Sequence, residues 1–167
     1  MRLTPAAVAE QFDWLHGRDS TVVALVNDVR GELGAAFDTE VDPIAPEEYH
    51  ATIDLVGEDG DRAVNVAALV ALLRELDVEG DYPGFVVDEL LGRELAAMIA
   101  GDQPLRLLAE ATFHYADVHH HTDEPAGRDD LDAALAAGVQ TRLPGWDWTE
   151  SASPFDVEPD SRHRDER

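Results

Sequence analysis

The recurrence of apolar side chains constrains this chain more than any other feature. Val22, Leu25, Val26, Val29 and Leu33 fall on one side of a helical wheel, and the same spacing returns at Val66, Leu69, Val70 and Leu73 and again at Val87, Leu91, Leu95 and Met98. Such a stripe leaves water only as one face of a helix packed on others, so the sequence predicts an all-α fold.

Punctuation divides the stripes. Thr4 before Pro5 is an N-cap followed by proline at the first helical position, and Gly17 closes a segment carrying Val8, Phe12 and Leu15. Ser20 caps a second helix that ends near Phe37, and residues 38–46, with Pro43 and Pro46, read as a crossing loop. Residues 47–56 support two readings. Pro46-Glu47-Glu48 and Gly57 look like helix ends, whereas Tyr49, Ala51, Ile53 and Leu55 alternate as in a strand, which would make a small β-hairpin at about 49–66. The helix is favoured.

Further helices are predicted at about 63–77, from Phe85 to Ala100, and from Gln103-Pro104 to about His121 with a seam of Leu108, Ala111, Tyr115 and Val118. A short one comes next, at about 129–137. The expected architecture is a helical bundle of five or six helices over residues 1–142. Residues 143–167, with Pro144, Pro154 and Pro159 and several acids, form an irregular acidic, Trp-containing C-terminal extension, flexible in part.

Charge narrows the environment. There are 36 Asp and Glu against 12 basic residues, a formal charge of −24, and every one of the cations is arginine. Self-repulsion of that size is relieved where salt shortens the Debye length, from about 10 Å at 0.1 M to about 3 Å at 1 M. A halophilic, archaeal cytoplasm is the expected setting. Hydrophobic residues make up 44%, enough at this length to enclose a core, which argues against disorder. The absence of cysteine excludes disulfides and sulfur-ligated metals. Neither a secretory pattern at Met1-Arg2-Leu3-Thr4-Pro5 nor an apolar run of about 18 residues is present, so a soluble protein with no membrane partner is expected. Nucleic acid is disfavoured as a partner. Residues 4–33 echo a helix-turn-helix, but the second helix exposes Asp28 and Glu32, and anionic faces repel phosphate.

The sharpest chemical feature is Glu110, His114, Asp117 and His121, spaced i, i+4, i+7 and i+11 along one stripe of the last long helix. Imidazole and carboxylate donors so placed suit a divalent transition metal such as Zn, Fe, Mn or Ni. A bundle centre also needs donors from facing helices, for which His16 and His50 are the available imidazoles. The competing explanation is a solvated helix end at His119-His120-His121, where the dipole favours cationic rings. Templates for nucleotide loops, nucleophile elbows, zincins and lysine chemistry are absent.

Trp146, Trp148 and Phe155 stand among Asp147, Glu150 and Asp156, a composition suited to docking on a partner or to folding back over the chain's own helices. The sequence therefore points first to a non-enzymatic adaptor, assembly or structural subunit acting by contact with a protein partner or by self-association, without a resident cofactor. The second expectation is a metal-binding helical-bundle enzyme or sensor using the His/carboxylate stripe.

Overall fold

A computed structural model describes residues 2–76, 78–120 and 126–146. The described residues form helices α1 (Pro5–His16), α2 (Asp19–Ala36), α3 (Pro46–Gly57), α4 (Gly60–Glu75), α5 (Asp81–Val86), α6 (Arg93–Ala100), α7 (Leu105–Val118) and α8 (Ala126–Arg142). Between α5 and α6, Val87–Gly92 is π-helical, and the backbone stays right-handed through Val86 and Arg93, so the rod continues from Asp81 to Ala100. No strand occurs among the described residues. The fold is all-α, with more helical pieces than the five or six expected.

Two helix starts form as the punctuation implies, whereas the Ser20 cap does not, since α2 begins at Asp19 with Arg18 as its N-cap and no side-chain cap hydrogen bond. Thr4 Oγ1 accepts the Ala7 N–H at 3.1 Å to start α1, and Glu48 reaches back to accept the Ala45 N–H at 2.9 Å at the start of α3. The ambiguous segment is therefore helix, and the hairpin alternative fails. Its alternation was incidental. Tyr49 and Ile53, two of the alternating residues, are also i, i+4, and with Thr52 and Val56 they make the buried face while Ala51 and Leu55 face solvent.

Helix α7 turns differently from its predicted seam. Ala109, Thr112, Phe113 and Ala116 are buried, whereas Ala111 and Val118 are exposed and Leu108 and Tyr115 only half-buried. Helix α7 packs against both α6 and α8, and the face it buries between them combines Phe113 with the smaller Ala109, Thr112 and Ala116. No helix among the described residues is long and apolar enough to cross a membrane.

Helix α8 is the hub. It packs against α2, α3, α4, the π segment, α6 and α7, and every residue from Leu131 to Thr141 is buried. A helix apolar on all sides has to be enclosed, and Leu131, Ala133, Ala134, Leu135, Ala136, Ala137 and Val139 supply that surface. Its glycines mark near-contact with neighbouring backbones. A Cβ at Gly127 would fall 2.3 Å from the Leu73 carbonyl oxygen, and one at Gly138 would fall 2.8 Å from that of Ala96. Beyond α8 the chain turns inward, and Trp146 is fully buried with its Nε1 donating to the Gln140 carbonyl at 3.1 Å and its ring 5.3 Å from the Arg30 guanidinium.

Gly138→Ala should therefore lower stability by about 1–3 kcal/mol, because the backbones of α6 and α8 must separate to admit one methyl group. Denaturant melts read by circular dichroism test this, and an unchanged midpoint would contradict the close approach.

Candidate metal centre

The rod from α5 to α6 runs antiparallel to α7, and its polar residues pair in reverse order along that junction. Arg106 Nη2 donates to both carboxylate oxygens of Glu94 at 3.0 Å, Arg93 lies 3.9 Å from Glu110, and Glu89 Oε1 lies 3.1 Å from His114 Nε2. Gly92 allows the approach. The Phe113 ring lies so close to it that a Cβ there would sit 2.3 Å from Phe113 Cζ. One turn back along the π segment, Asp88 and Glu89 face His114 and Asp117, one to four residues further along α7.

Helix α8 adds Asp130 from a third direction. Asp88, Asp117 and Asp130 present donor atoms within 4.8 Å of one another, as do Asp88, Glu89 and His114. Asp130 is only 5% exposed. Among the described residues, the buried carboxylate oxygens without a hydrogen-bond partner are Asp88 Oδ1 and Asp130 Oδ2, and both belong to this cluster. Burial, followed by the charges of Asp117 and Asp88, pushes the Asp130 carboxyl up to about 8, and a side-chain hydrogen bond with Asp117 adds to the shift. Asp88 is raised for the same leading reason, with Asp117 next. Carboxylates crowded in this way need a proton or a cation between them.

A neighbouring acid on the same helix shows the contrast. Asp132 is fully buried but accepts from Arg18 Nε at 3.0 Å, pairs with the same guanidinium through Nη2, and lies 3.2 Å from His120 Nε2. Its charge is matched by protein groups. Asp130 faces other carboxylates instead.

The residues singled out from sequence are separated by this geometry. His114 and Asp117 enter the cluster, Glu110 is held by Arg93 and Arg106, and His121 lies outside the described residues. His16 is 2.9 Å from Asp54, and the His50 ring lies 5.0 Å from that of His16 and 3.4 Å from Asp19, so this pair makes a separate contact between α1 and α3. Glu47 and His50 do have the Glu-x-x-His spacing of bundle centres, but Glu47 is exposed. Trp146 is in the core, whereas Trp148 and Phe155 lie outside the described residues.

Sequence reasoning missed Asp88, Glu89 and Asp130. The available signal was an acid inside an otherwise apolar helix, present at Asp130 and Asp132; nothing marked Asp88 and Glu89 before the π segment was known.

Fold and site together define an all-helical domain with a carboxylate and histidine cluster where three helical elements converge. The chain belongs to the family described as "Domain of unknown function (DUF7984)", which matches residues 1–159. No curated protein and no solved structure matches it.

A carboxyl raised from about 3.9 in the unfolded chain to about 8 in the fold takes up a proton on folding, so its contribution to stability declines as pH rises through that window. Asp130→Asn removes the penalty. The variant should melt above the natural protein when metal is stripped, with a gap that widens between about pH 4 and about pH 8. A gap independent of pH, in melts with chelator present, would contradict this account of Asp130.

Proposed function

We propose that this chain is a divalent-cation-binding helical domain working in a high-salt cytoplasm, with the ion held where the π segment, α7 and α8 meet. The observation that carries the reading is Asp130, an almost completely buried carboxylate with an oxygen that has no hydrogen-bond partner among the described residues, beside Asp88 and Asp117. An oxygen in that position is costly unless something positive sits against it.

Carboxylate oxygens dominate the donor set, with one imidazole nearby, a combination suited to Mn2+ or Mg2+ and, through His114, to Fe2+ or Zn2+. The outer rim is open, as the His114 side chain is 40% exposed. An open rim leaves a coordination position for water or a substrate oxygen, which favours Lewis-acid chemistry over a closed structural role. Contact with another protein, the first expectation from sequence, has narrower support, because Trp146 is turned into the core. The high-salt setting rests on the −24 charge and on cations that are all arginine.

Mn2+ titrated calorimetrically into chelator-stripped protein in molar KCl should bind saturably, and Asp130→Asn should weaken it at least about tenfold. Folded protein that binds neither Mn2+, Mg2+ nor Zn2+ overturns the reading, as does an Asp130→Asn variant that binds as well as the natural chain. The thermal midpoint should also climb between about 0.1 M and about 1 M KCl as screening shortens from about 10 Å to about 3 Å. A midpoint that stays level or falls overturns the high-salt assignment.

A further inference from the structure

Asp88 is common to both donor groups, Asp88 with Glu89 and His114 on one side and Asp88 with Asp117 and Asp130 on the other. We infer that the cluster holds two divalent cations side by side, with the Asp88 carboxylate bridging them. This rests on the cation-binding reading above and extends it from one ion to a pair.

Charge leaves room for the pair. Asp88, Glu89, Asp117 and Asp130 bring up to four negative charges to one small region, Arg93 answers one of them at Glu89, and a single divalent ion leaves one uncovered. The two positions also differ in surroundings. Asp130 closes the inner one from α8, while the outer one lies at the rim beside His114 and Glu89. Asp88 Oδ1, buried and without a hydrogen-bond partner among the described residues, lies on the His114 side of the shared carboxylate, and a bridging carboxylate joins ions at the separation of about 3.5–4 Å found in two-metal centres.

His114 stands between the two acids of the outer position. Its Nδ1 lies 3.4 Å from Asp88 Oδ1 and its Nε2 lies 3.1 Å from Glu89 Oε1. Both ring nitrogens therefore lie beside carboxylate oxygens of the outer group. One ring nitrogen would serve as a ligand to the outer ion while the other faces a carboxylate, which fixes the ring. Arg93 Nη1 donates to the far oxygen of Glu89 at 3.0 Å, leaving Oε1 toward the cluster.

The test is Mn2+ loading of the full chain in molar KCl, read as bound metal per chain and by electron paramagnetic resonance. Two ions per chain are expected, with the broadened spectrum of an exchange-coupled pair in place of the hyperfine pattern of isolated Mn2+. Glu89→Gln and His114→Ala should each reduce loading to one ion and restore the isolated pattern, with helicity by circular dichroism confirming that the variants fold. One ion per chain in the natural protein overturns the pair and leaves the single-ion reading standing; none overturns both. Two ions without coupling overturn the bridging role of Asp88.

Discussion

The enclosure of α8 on all sides is the constraint on which the rest of the structure depends. A helix with no solvent-facing stripe between Leu131 and Thr141 cannot discharge a polar side chain into water, so every acid it carries there has to be answered from a neighbouring helix. For Asp132 the answer comes from Arg18, in the turn between α1 and α2, and from His120 just past α7. That single carboxylate ties the two ends of the chain's helical order together across 114 positions of sequence. Removing one partner of such a buried pair typically costs about 3–5 kcal/mol, much of it the stranded charge. Asp130 sits two residues earlier, is also buried, and meets carboxylates where Asp132 meets cations.

The choice of arginine for every cation fits the same picture. Arg30 is almost completely buried, yet it donates to main-chain carbonyls of Asp42 and Pro144 at 3.2 and 2.7 Å and lies over the Trp146 ring. Burial lowers its pKa, but a guanidinium keeps its charge where an ammonium would be far more readily neutralised. Its planar fork can serve several carbonyls together, which fastens residues 142–146 to α2 and draws Trp146 inward. Arg106 uses the fork in the other way, gripping both oxygens of Glu94 while reaching Glu110. In a chain of charge −24, such grips position acids as well as offset them.

Where helices are amphipathic, their faces could be read from the order of residues. The stripes of α2 and α4 reappear in the core with Val22, Leu25, Val26 and Val29 buried in one and Val66, Val70 and Leu73 in the other. Where a helix is enclosed, period carries little information, and α8 was foreseen as a short segment at about 129–137 because its apolar residues surround the axis. The seam of α7 was misplaced for a related reason. Large side chains at Leu108 and Tyr115 look like a core face, but the helix buries the adjacent face of Ala109, Thr112, Phe113 and Ala116 between two neighbours. The site was half legible: the spacing of His114 and Asp117 predicts one face, and only tertiary structure supplies the acids opposite.

The π segment explains why those acids were out of reach. Helical turns closed by i+5 bonds take in an extra residue and shift the register of the preceding helix against that of the succeeding one. Read as uninterrupted α-helix, Asp88 and Glu89 are assigned directions set by the Val87, Leu91, Leu95 and Met98 stripe, and neither is marked out. With the wider turn ending at Gly92, α6 keeps Leu95 and Ile99 in the core while both acids turn toward α7. Gly92 is what permits this arrangement, since a side chain there would collide with Phe113 and push α7 away from the carboxylates. The wide turn, the missing side chain at Gly92 and the crowded charge therefore belong to one arrangement, in which a local backbone irregularity turns two acids toward α7.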